Sequence, residues 1–252
     1  MKLSKRLKAV AKLVGQGDAV CDVGTDHGYI PIYLLRSGVK KRALAMDINE
    51  GPLLRAREHV IENGLEGYIV MRLSDGLSAL GEGEADSVVI AGMGGNLMIR
   101  ILENDFSKLE AVKELILQPQ SDVERVRRYV RNHGFVIDEQ DMVEEDGKFY
   151  MMFRCVHQKD GGVCFEECED NGRQRAYDRY GEHLMKRNDL VLRKYLRKEE
   201  RQIQKIKESL SVSGDSGKAE KRKRELEEKM SVILLARKEM DAYAVRESDR
   251  SD

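Results

Sequence analysis

The sequence predicts an α/β domain with a mostly parallel sheet ending in an antiparallel hairpin, followed by an α-helical coiled-coil hairpin. Three observations support this fold class. Five short apolar runs between Ala19 and Pro119 alternate with amphipathic stretches, two closely spaced apolar strands meet at Asp146-Gly147, and from about Gly181 apolar residues recur at helical spacing on both sides of a Ser- and Gly-rich loop. Strands separated by helices favour a parallel sheet that is covered on both faces.

The elements of the first domain can be assigned in chain order. The N-terminal segment MKLSKRLKAVAKLVGQG is basic and amphipathic, and we expect a helix there rather than a presequence. Strands are predicted at Ala19–Gly24, Arg42–Ile48, Tyr68–Asp75, Ser87–Met93, Glu114–Pro119, Phe135–Val143 and Lys148–Val156. Helices are predicted at Tyr29–Ser37, Gly51–Asn63, Asn96–Leu109 and Ser121–Asn132. The last two strands should form a hairpin, because Asp-Gly between alternating apolar residues is a strong turn signal.

The composition changes at about residue 160. We predict a first domain at 1–160, a linker or irregular edge at 161–180, and a helical hairpin or coiled coil at 181–246. The middle segment contains Gly, Cys and acidic residues without a clear period, and SVSGDSG at Ser211–Gly217 has the composition of a loop. Each arm of the hairpin would be ~40 Å long at about 1.5 Å per residue.

Composition restricts the class of protein. The net charge of −1 gives no overall attraction for nucleic acid, so any basic surface must be local. No apolar run approaches the ~18 residues that span a bilayer, and a membrane protein is not expected. Cysteines at 21, 155, 164 and 168 do not form a disulfide framework and suit a reducing cytoplasm. Cys155, His157, Cys164 and Cys168 lack the paired spacing of zinc sites, so we expect no metal.

The segment CDVGTDHGY, from Cys21 to Tyr29, follows a predicted buried strand and precedes a helix. Gly24 and Gly28 would let the backbone turn sharply and approach a ligand. The segment resembles motif I of class I methyltransferases, D/E-x-G-x-G-x-G, with Asp26 in place of the middle glycine. Asp26 would repel a pyrophosphate, whereas a cofactor with sulfonium and ammonium groups would be attracted, which favours S-adenosyl-L-methionine over NAD. The predicted cofactor-binding loop comprises Asp22, Gly24, Thr25, Asp26, His27, Gly28 and Tyr29.

Two further strand ends carry acids that suit an adenosyl cofactor. Asp47 ends the second strand about twenty residues beyond the glycine turn, where an acid accepts from ribose hydroxyls, and Ile48 follows it. Ser74, Asp75 and Gly76 end the third strand, where an acid can accept from the adenine amino group. Helix capping is the structural alternative for both acids.

The fourth strand ends in Ala91-Gly92-Met93-Gly94-Gly95, and it lacks the [D/N]-P-P-[Y/F] signature of many base-amino methyltransferases. These glycines would expose backbone carbonyls and amides at the edge where α/β proteins bind ligands. A glycine turn that only lets the next helix pack closely is the alternative. We assign Gly92 to the cofactor site, and Gly92, Met93 and Gly94 to catalysis together with Asp26.

Taken in order, DVGTDHGYIP, MDINEGPL, SDGL, AGMGG and LQPQ between Asp22 and Gln120 resemble the bacterial tRNA (adenine-22-N1)-methyltransferase family. The opening KLSKRL, the EEDGKFY hairpin and the C-terminal helical hairpin resemble it too, whereas Lys159–Arg175 gives no match. The resemblance implies S-adenosylmethionine as methyl donor and N1 of an adenine near the D-arm of tRNA as acceptor. No obligate protein partner is inferred from the sequence.

Local positive charge is consistent with an RNA partner. Five basic residues and no acid precede Asp18, four arginines lie in Ser121–Asn132, and Lys186–Lys238 contains 17 Lys or Arg against 9 Asp or Glu. A basic arm beside a catalytic domain suits phosphate contacts. A solvated coiled coil of mixed charge is the alternative.

Methylation of adenine N1 requires the base to be exposed or flipped, then held in line with the methyl group. The ring becomes cationic, so Asp26 and the carbonyls of Gly92–Gly94 are candidates to stabilise it. Gln118 and Pro119, which end the fifth predicted strand, could line the entrance to the active site. His27 is a candidate base, with capping of a backbone group as the alternative. Tyr29 or Phe149 could stack on the adenine. Two other functions stay open: a methyltransferase for another RNA or a small molecule, and a noncatalytic RNA-binding protein.

Overall fold

A computed structural model describes residues 3–15, 17–158, 172–212 and 217–248. The chain divides into two compact units, Met1–Phe165 and Glu166–Asp252. The first unit contains all the strands of the described residues, and the second is helical. Within the described ranges, no helix is long and apolar enough to cross a membrane.

The sheet of the first unit has seven strands in the order β3-β2-β1-β4-β5-β7-β6. Its strands are β1 (Ala19–Val23), β2 (Arg42–Asp47), β3 (Ile69–Leu73), β4 (Ser87–Gly94), β5 (Glu114–Ser121), β6 (Phe135–Glu145) and β7 (Lys148–His157). The first five strands are parallel to one another, and β7 is antiparallel to both β5 and β6. The predicted parallel sheet with an antiparallel hairpin at its end is therefore confirmed.

Helices cover both faces of this sheet. They are α1 (Lys5–Lys12), α2 (Tyr29–Arg36), α3 (Glu50–Glu62), α4 (Gly95–Asn104), α5 (Phe106–Leu109) and α6 (Val123–Asn132). Successive strand residues point to opposite faces, so Val20 packs with the core beneath α1 to α3 and Cys21 with the core beneath α4 to α6. The helix predicted at Asn96–Leu109 is divided at Asp105, where the backbone leaves the helical conformation.

The second unit contains α7 (Gly172–Tyr180), α8 (Glu182–Lys186), α9 (Leu190–Val212) and α10 (Gly217–Ser248). Residues 161–180 are predicted to be irregular, and for 172–180 that prediction is wrong because Ala176 and Tyr180 bury one face of α7. The Tyr177 hydroxyl also lies 2.9 Å from the Tyr243 hydroxyl of α10. The preceding residues of that segment and the loop residues 213–216 lie outside the described ranges.

The first predicted arm is also divided. Asn188 adopts the left-handed conformation, and Asp189 Oδ1 accepts from the backbone N–H groups of Val191 and Leu192, which caps α9. Beyond this break α9 and α10 pack together. Buried residues of α10 recur every seven positions, as in coiled coils, at Ala219, Leu226, Ile233 and Met240.

Candidate active site

Backbone hydrogen bonds bring the ends of the first three strands together. The N–H groups of Gly24 and Thr25 donate to the Met46 carbonyl at 2.8 and 2.9 Å, so the loop after β1 rests on the end of β2. Ser74 N–H donates to the Asp47 carbonyl at 2.9 Å, which joins the end of β3 to β2. The predicted residues of these strands therefore lie side by side at the carboxyl edge of the sheet, where open α/β sheets bind ligands.

The loop after β1 requires glycine at two positions. Gly24 and Gly28 have φ of 76° and 66°, a conformation that side chains other than glycine rarely adopt. A Cβ on Gly24 would lie 2.2 Å from Met93 Cε, and one on Gly28 would lie 3.3 Å from Ala56 Cβ. The loop thus packs closely against β4 and α3 and presents its backbone at the sheet edge.

Asp22, the penultimate residue of β1, is a buried acid with 6% of its surface exposed. Burial raises the pKa of its carboxyl to about 6; the nearby Thr25 hydroxyl opposes this shift and the charge of Asp47 adds to it. Thr25 Oγ1 is itself buried and forms no regular hydrogen bond with any described residue. A cationic group of a ligand would favour the ionised form of Asp22.

Asp26 is not an isolated charge. Its carboxylate pairs with Arg55 of α3 and lies 3.2 Å from His27 Nε2. The hydrogen bond from Arg55 is the main cause that lowers the pKa of Asp26. Part of the negative charge expected to attract the cofactor is therefore compensated by α3.

His27 and Tyr29 belong to an aromatic group at the start of α2. The rings of Tyr29 and His27 stack with centroids 5.0 Å apart, and His59 lies 5.1 Å from Tyr29. His59 Nδ1 contacts the His27 carbonyl at 2.9 Å. Within the described part of the chain, His27 Nδ1 is buried without a hydrogen-bond partner. Because two imidazoles engage the Tyr29 ring, this geometry does not favour stacking of Tyr29 on adenine.

At the end of β2, Asp47 has a structural contact as well as a predicted role. Its Oδ1 accepts from Asn49 N–H at 2.8 Å, so one carboxylate oxygen stabilises the turn into α3. The next residue, Ile48, is an apolar side chain with 58% of its surface exposed. This arrangement suits a ligand that has both hydroxyl groups and an apolar ring.

The turn after β3 contains two residues with structural roles and one exposed acid. Ser74 is buried; its hydroxyl donates to the Gly76 carbonyl at 2.9 Å and accepts from Ala79 N–H at 3.1 Å. Gly76 has φ of 58°. Asp75 is exposed. Ser74 and Gly76 thus shape the turn, and Asp75 is the residue whose side chain is accessible to a ligand.

The end of β4 departs from regular strand pairing. Gly92 has φ of 82°, and the register with β5 shifts on both sides of Met93. Met93 pairs with Pro119, which has no N–H to donate. Farther along, a Cβ on Gly95 would lie 2.5 Å from the Ser121 carbonyl, so Gly95 also allows close packing. Gly92 therefore has no paired residue on β5, whereas Gly94 pairs with Ser121.

Helix α1 brings an arginine to this edge that sequence reasoning counted only as positive charge. Arg6 Nη1 donates to the buried Gln118 Oε1 at 2.8 Å, and the guanidinium lies 5.6 Å from the centroid of the Tyr150 ring. The backbone N–H groups of Lys5 and Arg6 donate to the Glu145 carboxylate at 2.6 and 3.2 Å. The KLSKRL match to the family was the only sequence signal for this contact.

Cys155 and His157, the described residues of the predicted cysteine and histidine group, have structural contacts. Cys155 is a buried thiol whose pKa is raised by burial, and His157 Nε2 lies 2.8 Å from the Leu109 carbonyl. Cys164 and Cys168 lie outside the described residues. In the described ranges, His, Cys, Asp and Glu form no cluster of three or more that could hold a metal ion.

The residues at the edge fit S-adenosylmethionine on three observations. The glycine loop allows close approach of a ligand to backbone. His27 Nδ1 is a buried polar atom that lacks a hydrogen-bond partner among the described residues. Asp22 is a buried acid for which a cationic ligand would be a suitable partner.

Comparisons with known proteins agree with this chemistry. A family model described as a methyltransferase domain matches residues 3–153. A tRNA (adenine(22)-N(1))-methyltransferase from Bacillus subtilis is 32% identical over 241 residues, which are 92% of this chain and 96% of that protein. A putative tRNA (m1A22) methyltransferase from Streptococcus pneumoniae, solved with S-adenosyl-L-methionine, has a TM-score of 0.75 at 33% identity over 93% of this chain and 99% of its own. TrmK from M. capricolum, solved with S-adenosyl-homocysteine, has a TM-score of 0.75 at 28% identity over 95% and 98%.

Proposed function

The chain belongs to the tRNA (adenine(22)-N(1))-methyltransferase family, and from that premise we propose that it transfers a methyl group from S-adenosylmethionine to N1 of adenosine 22 in tRNA. The observation that carries the proposal is the carboxyl edge, where a glycine loop, a buried acid and an irregular strand end meet. Family membership favours this reaction over another RNA or small-molecule acceptor, and over a noncatalytic RNA-binding protein.

The first three strand ends would hold the cofactor. Asp47 would accept from the ribose hydroxyls with the oxygen that Asn49 does not use. Asp75 would accept from the adenine amino group, with Ile48 against the ring. Asp22, through its negative charge, would favour the cationic end of the cofactor at the loop after β1.

The end of β4 would receive the adenine. When bound, S-adenosylmethionine would supply an electrophilic methyl group and would leave as S-adenosylhomocysteine, whose sulfur keeps the electron pair of the S–C bond. Adenine N1 would attack with its own lone pair, so the transfer needs no base. His27 contacts Asp26 and stacks on Tyr29, and a structural role of this kind is consistent with a reaction that needs no base. The carbonyls of Gly92 and Gly94 would face the ring as it becomes cationic. Asp26 would add negative charge there, reduced by its pairing with Arg55.

Helix α9 carries the surface that we propose to bind tRNA phosphates. Exposed basic residues recur along one side of it at Lys194, Arg197, Lys198, Arg201 and Lys205. Elsewhere in this unit Arg193 pairs with Asp241 and Arg237 with Glu200. A stripe of cations at this spacing can follow a phosphate backbone. A tRNA substrate also supports a cytoplasmic location.

The direct test is methyl transfer to tRNA that lacks the modification. The full chain is incubated with labelled S-adenosylmethionine and a tRNA transcript with adenosine at position 22, and the product is located by nuclease digestion and mass spectrometry. We expect N1-methyladenosine at that position, and no product from a matched transcript with guanosine there. Methyl on another nucleoside would contradict the proposal. Absence of S-adenosylmethionine binding by calorimetry would favour the noncatalytic alternative.

A further inference from the structure

Two polar side chains lie beside Gly92 at the carboxyl edge of the sheet. A Cβ placed on Gly92 would be 3.5 Å from Arg6 Nη1 and 3.8 Å from Gln120 Nε2. Both of these atoms are nitrogen donors. The strand end proposed to receive the adenine is therefore flanked at Gly92 by two groups that donate hydrogen bonds.

Arg6 is held in place before any ligand binds. Its guanidinium donates to the buried Gln118 carboxamide at 2.8 Å and lies over the Tyr150 ring. The first turn of α1, which carries Arg6, is fixed by the Glu145 carboxylate. These contacts reduce the side-chain entropy that Arg6 would lose on binding, so its remaining N–H donors are preorganised.

The charge of Arg6 is not neutralised by a side-chain ion pair. In the described part of the first unit, the salt bridges do not include the Arg6 guanidinium. The pKa of Glu145 is lowered chiefly by the hydrogen bond from Lys5 N–H and also by the charge of Arg6, and its carboxylate accepts from backbone N–H groups of α1 without forming an ion pair with the Arg6 guanidinium. Gln118, the side chain that Arg6 contacts directly, is neutral. A cation held in this way favours an anionic ligand.

We propose that Arg6 and Gln120 form an oxyanion-binding site above Gly92 that completes the active site. Planar guanidinium groups recognise carboxylates and phosphates through paired N–H donors. Two oxyanions of the proposed reaction can reach this edge: the carboxylate of the cofactor and a phosphodiester of the bound tRNA. The inference rests on the proposed function, and Arg6 acts as a binding residue for whichever of these anions occupies the site.

The test compares Arg6→Gln with Arg36→Gln in the full chain. Arg36 is a matched control, because its guanidinium also donates to a neutral carboxamide, that of Asn63 at 2.7 Å, at the end of α2 remote from the loop. Binding of S-adenosylhomocysteine and of its decarboxylated analogue is measured by calorimetry. Binding of tRNA is measured across a salt series. Gln120→Ala, which removes only the second donor from an exposed side chain, decides the question if Arg6→Gln does not fold.

Each anion predicts a different result. If the cofactor carboxylate occupies the site, Arg6→Gln weakens S-adenosylhomocysteine binding by about 10- to 100-fold, and the decarboxylated analogue binds wild type and variant equally. If an RNA phosphate occupies it, cofactor binding is unchanged, tRNA binding weakens about tenfold, and the salt slope falls by about 0.7 to 0.9. Gln120→Ala should weaken the binding of the same ligand to a smaller degree.

Equal affinities of Arg6→Gln and Arg36→Gln for both ligands would overturn the inference. If Arg6→Gln is unfolded, wild-type affinities of Gln120→Ala for both ligands would overturn it as well. Methylation of the tRNA transcript by the wild-type chain is measured in parallel. If the wild type methylates position 22 but the variants bind normally, the oxyanion site is wrong and the proposed function stands. If the wild type does not methylate it, the proposed function itself fails.

Discussion

Asp22 should make cofactor binding depend on pH near 6. Burial raises the pKa of its carboxyl to about 6, against the effect of Thr25 and with that of Asp47. The cationic cofactor favours the ionised carboxylate, whose fraction falls from nearly all at about pH 8 to about one tenth at about pH 5. We therefore expect the affinity for S-adenosylmethionine to fall about tenfold over this range. Asp22→Asn should bind the cofactor weakly and without this dependence.

The stability of the ligand-free protein should change with pH in the opposite direction to its affinity for the cofactor. The pKa of Asp22 in the folded chain lies above the unfolded value of 3.8, so the folded state binds the proton more tightly and stability falls as the pH rises from about 4 to about 6. The difference between the two pKa values corresponds to about 3 kcal/mol, an upper limit to the gain from a neutral side chain at neutral pH. Without ligand, Asp22→Asn should therefore unfold at a higher temperature than wild type, and S-adenosylmethionine should raise its unfolding temperature less.

Calorimetry at pH values between about 5 and 8, with thermal unfolding in parallel, tests both expectations. Asp18→Asn is a matched control, because Asp18 is an exposed acid that pairs with Lys41 just before β1. A wild-type affinity that does not change with pH would refute the reasoning. So would an Asp22→Asn variant that keeps the wild-type pH profile, since the titrating group would then lie elsewhere.

Three other predictions concern the cofactor, the chemistry and the RNA. Asp47→Ala should weaken S-adenosylmethionine binding by about 1.5 to 3 kcal/mol, whereas unchanged affinity in a folded variant would leave Asp47 as a helix cap only. Asp26→Asn should lower kcat more than cofactor affinity if its charge serves the cationic transition state; equal losses would make it a cofactor ligand. Exchange of Arg197, Arg201 and Lys205 for Glu should leave S-adenosylmethionine binding unchanged and reduce the salt slope of tRNA binding by about 0.7 to 0.9 for each lost phosphate contact. An unchanged slope would show that α9 does not contact tRNA.

Local patterns explain why so much of the sheet could be predicted. The apolar runs of β1 to β5 are short, continuous and separated by helical periods, and Asp146-Gly147 has the left-handed turn conformation that its sequence indicates. Because parallel strands place their carboxyl ends at one edge, the positions of Asp22, Asp47 and Asp75 followed from strand assignment alone.

Contacts between distant residues could not be predicted in this way. Arg55 lies 29 positions from Asp26, and Gln118 lies 112 positions from Arg6. No periodicity or spacing links such pairs. The partial neutralisation of Asp26 by Arg55, and the position of Arg6 beside Gln118, could therefore be seen only in the structure. In the helical unit, the break before α9 depends on Asn188 adopting a conformation that apolar periodicity does not report.

The contact between Lys5 N–H and Glu145 joins residues 140 positions apart. Loop closure over such a distance is entropically costly until the intervening sheet has formed. The first turn of α1 should therefore dock after β6 and β7 have paired. The contacts of Arg6 with Gln118 and Tyr150 should then form late in folding. Hydrogen exchange would detect this order, because the amides of α1 should open at a lower free energy than those of β1 and β4.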